Sequence, residues 1–142
     1  GLRLSVLATP GHTADSVCFV VGDGEAVLTG DTILGRGTTV VAHPDGILGA
    51  YLDSLRLLRD VGQAVVLPGH GPELPSLEDV ASYYLAHRAE RLDQVRAALA
   101  VLGPDATARQ VVEHVYTDVD PIVWGAAELS VQAQLAYLRE TP

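Results

Sequence analysis

The chain contains no lysine, no methionine and a single cysteine in 142 residues. Each absence excludes something. Positive charge rests on nine arginines alone, against 18 acidic residues, for a net charge of −9. That balance is a poor footprint for a tight nucleic-acid binder, which normally carries a basic patch. It leaves open an enzyme whose metal ions meet a phosphate. The lone Cys18 rules out an intrachain disulfide and fits a reducing, cytoplasmic setting. Within Val17-Cys18-Phe19-Val20-Val21 it reads as a packed core residue. No apolar run approaches the ~20 residues of a membrane span, and the start lacks the h-region and cleavage site of a secretory signal. Gly1 in a chain without methionine points to a removed initiator or to a piece of a longer polypeptide. Gly1 with Ser5 fits a myristoylation spacing, but the alternating residues 2–8 read as a strand.

What is present is a core. Hydrophobic residues make up 48% of the chain, enough for a packed domain. Residues 2–8 alternate as a half-buried strand does, and residues 17–21 are a β-branched and aromatic run. Gly22-Asp23-Gly24 is a hairpin turn leading to a third strand at 25–29. Residues 33–48 form a loop rich in Gly and Thr, of a length that tends to be functional. Leu52, Leu55, Leu57 and Leu58 predict an amphipathic helix over about 50–60, ended by Val61-Gly62. Residues 64–67 are a short apolar strand.

Beyond residue 73 the pattern becomes helical. Ser76 and Asp79 form an S-x-x-[DE] signature opening a long helix to about Leu102. Its seam is Leu77, Ala81, Tyr84, Arg88, Leu92, Val95, Leu99 and Leu102. Thr107 with Gln110 opens a short helix through about Val115. Asp120-Pro121 starts a last helix, to about Arg139. The chain therefore divides into residues 1–73, strands with one helix, and residues 74–142, all helix.

Three short stretches put a ligand on a turn after an apolar run: Thr9-Pro10-Gly11-His12-Thr13, Thr29-Gly30-Asp31-Thr32 and Pro68-Gly69-His70-Gly71-Pro72. Strand ends beside glycine can aim side chains into a shared cleft. His12, Asp31 and His70 offer two imidazoles and a carboxylate, a set suited to zinc or a similar divalent ion. Singly, each is more commonly an ordinary turn residue; together they favour ligation. His87 lies beside the seam of the long helix. A solvated helix residue is its commoner role, and contact with an anionic substrate is the functional alternative. His43 could line the cleft from the Gly-rich loop. His114 stands four residues before Asp118 and suggests a surface pair. Arg88, Arg91 and Arg96, diluted by Glu90 and Asp93, read as a solvated face.

The motifs T-P-G-H-T, T-G-D-T and L-P-G-H-G-P, in this order and each after a strand, resemble the later motifs of the metallo-β-lactamase superfamily. Gly37-Thr38-Thr39-Val40 through Tyr51-Leu52-Asp53-Ser54-Leu55, with the helices after His70, resemble its β-lactamase-like and glyoxalase-II-like branch, which carries a winged-helix-like C-terminal domain. The resemblance implies an α/β fold: the C-terminal half of an αββα sandwich, followed by a helical, winged-helix-like region. It implies two zinc ions per complete domain, with manganese or iron as substitutes. His12 would bind the first, His70 the second, and Asp31 both. It also implies hydrolysis of an ester, thioester or phosphodiester by a metal-bound hydroxide, since zinc lowers the pKa of bound water to ~7. An aspartate at position 31 favours glyoxalase-II-like or nuclease chemistry over antibiotic hydrolysis.

The family's H-x-H-x-D-H signature is not among the 11 residues before His12, and the expected wing hairpin is not in the chain. Each metal would keep two ligands here, short of the usual three. The expectation is a chain that binds metal weakly and is inactive alone, with its N-terminal half supplied in cis or in trans. Its uncovered sheet face would favour homo-oligomers. Expected substrates are small-molecule esters or thioesters, or RNA, with no membrane partner. The rival reading is a non-catalytic module whose helices bind a partner or nucleic acid.

Overall fold

The computed structural model describes residues 1–118 and 120–141; the predicted boundary at residue 142 lies outside them. Four strands, β1 (Leu4–Ala8), β2 (Val17–Val21), β3 (Ala26–Gly30) and β4 (Val65–Pro68), form one sheet in the order β1-β2-β3-β4. β1–β2 and β2–β3 are antiparallel hairpin neighbours, whereas β3–β4 is parallel. A parallel pair needs a crossover, and α1 (Leu48–Val61) lies within it. It follows that β1, β3 and β4 run the same way, so the turns after all three lie along one edge of the sheet. The topology thus gathers the three glycine-flanked motifs.

The sheet buries one face. Cys18, Val27 and Val66 are fully enclosed in a cluster with Leu48, Tyr51, Leu55 and Leu58 of α1, and with Leu77, Ala81 and Tyr84 of α2 (Leu77–Leu102). On the opposite face the register aligns Val6 with Phe19 and Phe19 with Leu28. All three are exposed, Val6 at 63% and Phe19 at 38%. A second cluster joins Val95 and Ala98 of α2 to Val111 and Val112 of α3 (Ala108–Val115) and to Val131 and Leu135 of α4 (Trp124–Glu140). α2, about 39 Å long at 1.5 Å per residue, is the beam shared by both clusters.

The helix ends follow local chemistry. The Ser76 hydroxyl accepts from the Asp79 N–H at 3.2 Å. The return bond of a full capping box is absent among the described residues, because aspartate is a methylene shorter than the glutamate such a box uses. Thr107 and Gln110 make both bonds. The last helix begins differently from its prediction: Pro121–Val123 is a 3-10 turn, capped by the Asp120 carboxylate, which hands over to α4.

Two surface expectations are corrected, those for Arg88 and His114, and that for Arg96 holds. Arg88 does not belong to a solvated stripe; it sits at a seam position and is 6% exposed. Arg96 is exposed and paired with Asp93 at 2.8 Å. His114 makes no ion pair with Asp118 among the described residues. α3 ends at Val115 with Tyr116 as its cap, so the i,i+4 geometry is unavailable at 118. Among the described residues, no helix is long and apolar enough to cross a membrane.

Candidate functional site

Asp31 follows β3 and His70 follows β4. Their parallel strands end side by side, and the Gly69 N–H donates to the Gly30 carbonyl at 2.8 Å to lock the two turns together. A side chain at Gly69 would meet that carbonyl at 3.0 Å and Asp31 Oδ1 at 3.2 Å. Glycine there lets the turns close, and His70 Nε2 comes to 3.4 Å from Asp31 Oδ1. Both side chains reach solvent. The turns after β3 and β4 thus bring together two of the three residues expected to converge.

His12 is set by a different device. Gly11 adopts φ +134°, and a Cβ there would fall 2.3 Å from the Tyr51 backbone. The turn after β1 therefore presses directly onto α1, and the Ser54 hydroxyl donates to the Pro10 carbonyl at 2.7 Å. The His12 ring contacts the Val40 carbonyl through Nδ1 at 2.8 Å. A carbonyl only accepts, so Nδ1 carries the proton and Nε2 of the neutral ring keeps the lone pair. A backbone carbonyl fixing a histidine's tautomer is the outer-shell arrangement typical of metal-ligating imidazoles.

Threonines and tyrosines carry the rest. Thr9, Thr29, Thr32 and Thr39 are buried. The Thr39 hydroxyl donates to the Asp31 carbonyl at 2.8 Å, and the Tyr51 hydroxyl to the Thr32 carbonyl at 2.7 Å. Tyr84 accepts from the Leu34 N–H and donates to the Gly37 carbonyl, each at 3.0 Å. The segment between β3 and α1 has no regular structure, yet its backbone is tied down from α1 and α2. Thr9 Oγ1 lies 3.3 Å from Cys18 Sγ. Burial pushes the Cys18 thiol pKa up, with Thr9 and Thr32 opposing it through hydrogen bonds. Cys18 is the core residue its surroundings imply.

His87 is neither fully solvated nor joined to Asp31 and His70. Its ring stacks on Tyr83 at 6.3 Å between centroids, and it lines a cleft with Thr39, Arg88, Arg91 and Gln134. Desolvation, then the charges of Arg88 and Arg91, hold its pKa below the ordinary histidine value, against an opposing pull from Glu90. His43 is exposed and faces α4, lining a cleft with Ala133 and Tyr137. Thr39 and Gln134 were not singled out from the sequence. Both are polar residues in buried positions, and Gln134 at least stands in phase with Val131 and Leu135 on α4.

Among the described residues there is no group of three or more His, Cys, Asp or Glu side chains able to hold a metal ion. The donor types suit a divalent cation, and the lone pair on His12 Nε2 is available. In number, the Asp31–His70 pair alone falls short of the three protein ligands of a catalytic zinc site. The residues present fit part of a metal centre and do not complete one.

The family model for the metallo-beta-lactamase superfamily matches residues 1–70, and that for the beta-lactamase associated winged helix domain matches residues 107–141. A beta-lactamase-like protein 2 homolog of Caenorhabditis elegans is 34% identical over 118 residues, covering 83% of this chain and 38% of its own length. An atrochrysone carboxyl ACP thioesterase of Aspergillus chevalieri is 38% identical over 99 residues, covering 70% of this chain and 31% of its own. The crystal structure of a metallo-beta-lactamase family protein from Thermus thermophilus superposes with a TM-score of 0.79 at 29% identity, covering 99% of this chain and 45% of that one. The chain thus spans less than half the length of these relatives. Its sheet-and-helix architecture, its motif order and both family matches place it in the metallo-beta-lactamase superfamily, to which it belongs.

Proposed function

We propose that this chain is the C-terminal portion of a divalent-metal-dependent hydrolase acting on an ester or thioester, and that His12, Asp31 and His70 furnish part of its metal ligand set. The observation that carries this reading is the 3.4 Å contact between His70 and Asp31. The turns that follow two neighbouring parallel strands meet there, at the edge of the sheet where the His12 turn also lies. A thioesterase among the relatives supports the acyl substrate class. The acidic net charge of −9 speaks against RNA.

The division of labour follows from the geometry. Asp31 is held through its own carbonyl by Thr39, leaving its carboxylate turned towards His70. Val40 orients the His12 ring. A bound divalent cation supplies two things to such chemistry, a water of lowered pKa and polarisation of the scissile carbonyl. Imidazole with carboxylate suits zinc first, and iron or manganese as substitutes. In this proposal residues 1–73 form half of the catalytic domain and residues 74–142 the helical appendage. The remaining donors come from chain that packs against the exposed sheet face, in cis or in trans, a second copy being one form of the latter.

The test uses the full-length protein that carries this chain, loaded with zinc and assayed on an acyl thioester. His12→Ala, Asp31→Ala and His70→Ala should each lower kcat/KM by at least about 100-fold, the upper end of what outer-shell partners of a metal cost. Hydrolysis at the parent rate by all three variants would refute the assignment.

A further inference from the structure

Arg88 is a buried cation without an anion. Among the described residues no carboxylate lies within ion-pair distance of it, in a chain with 18 acidic residues and nine arginines. One terminal nitrogen donates to the Thr39 carbonyl, and the guanidinium lies 5.2 Å from the centre of the Tyr51 ring. Its Nε–H has no partner among the described residues. Burying a charge in this way is costly unless something compensates it.

Two more shielded polar atoms lack partners among the described residues: His87 Nδ1 and Gln134 Oε1. Gln134 is 5% exposed. All three residues line the same cleft, about 190 Å³ in volume, between residues 38–40, α2 and α4. Arg91 lines it too, its guanidinium resting 5.6 Å from the Tyr116 ring centre, likewise without a carboxylate partner. No aspartate or glutamate is among the described residues that line it. The residues that carry these three unmet atoms, and two cations without a carboxylate partner among the described residues, therefore line one cavity of molecular size.

We propose that this cleft is an oxyanion site for a phosphate group, free or esterified. Water could meet the hydrogen bonds but would leave both charges uncompensated. A carboxylate would meet the charges but has no proton to give to Gln134 Oε1. A phosphate that retains a proton does both, accepting from Arg88 Nε–H and Arg91 and donating that proton to Gln134 Oε1. The site is distinct from the Asp31–His70 pair but shares a wall with it. Thr39 donates to the Asp31 carbonyl, and Val40 accepts from His12. The inference does not rest on the hydrolase reading.

The experiment is a titration of inorganic phosphate with the metal-free 142-residue chain in EDTA, followed by phosphorus NMR line broadening. Saturable broadening with a midpoint of about 1 mM is expected, as for a site of modest affinity. Arg91→Ala and Gln134→Leu should each weaken binding at least about fivefold, the loss of a charged or neutral hydrogen bond. Arg88→Gln should abolish it, and if that variant fails to fold the other two still decide. His70→Ala should bind as the parent does, and acetate should fail to compete. Competition by methyl phosphate as strong as by inorganic phosphate assigns the site to an esterified group; competition by inorganic phosphate alone assigns it to the free ion. Three results would overturn the proposal: no saturation up to about 20 mM, the range in which specific weak binding is read; unchanged binding in Arg91→Ala and Gln134→Leu; or loss of binding in His70→Ala.

Discussion

The two faces of the sheet carry similar side chains and have different surroundings. Inward, Cys18, Val27 and Val66 lie in a close-packed cluster with α1 and α2. Outward, Val6, Phe19 and Leu28 sit in register and meet solvent. A strand such as Val17-Cys18-Phe19-Val20-Val21, apolar at every position, suits a sheet covered on both sides. A contiguous apolar face is also what marks an interaction surface. The inner face explains why residues 1–73 fold around α1, and the outer face is the surface against which we propose that further chain packs. The Asp31–His70 pair shows the same asymmetry: it is held from one side, and among the described residues no third donor joins it.

Substitutions on the two faces should separate these roles. The largest effect is expected at Val27, which has no exposure. Val27→Asp buries an unpaired carboxylate and should abolish cooperative unfolding in thermal circular dichroism. Leu55→Ala removes a fully buried side chain from the α1 surface that packs on this face. It should destabilise by about 2–5 kcal/mol in urea unfolding. Cys18, on the same face, should resist alkylation at pH 8 until the protein unfolds, because its thiol pKa is raised. The sign for stability follows. The folded state holds the thiol proton more tightly than the unfolded state, so this group's contribution is full below the unfolded pKa. It is lost as pH rises through the raised folded value. Val6→Lys, on the outer face, should change stability by no more than about 0.5 kcal/mol. It should nevertheless reduce self-association in analytical ultracentrifugation. A loss of stability at Val6 comparable to that at Leu55 would erase the distinction between the faces.

Much of this was legible in the residues, for physical reasons. β2 and α3 stand where local pattern and capping chemistry put them, because β-branched runs and Thr-x-x-Gln boxes act over a few residues. The meeting of Asp31 and His70 was legible too, since each glycine turn follows a strand. The role of Arg88 was not. Its place in the seam was visible, but a guanidinium in a helical pattern normally reaches water along its stem. Only the backbone of residues 38–40, which lacks any periodic signal, shows what encloses it. His87 was unreadable for the same reason, since its shielded Nδ1 depends on neighbours from distant parts of the chain. His114 misled because spacing alone ignores where a helix ends.

We propose that these residues hold only part of a metal centre. Calorimetric titration of zinc into the isolated 142-residue chain, with a thioester assay on the same sample, tests it most directly. A dissociation constant weaker than about 1 μM, as for fewer than three protein ligands, and no hydrolysis are the expected results. Tighter binding, together with turnover by a monomer, would contradict the proposal.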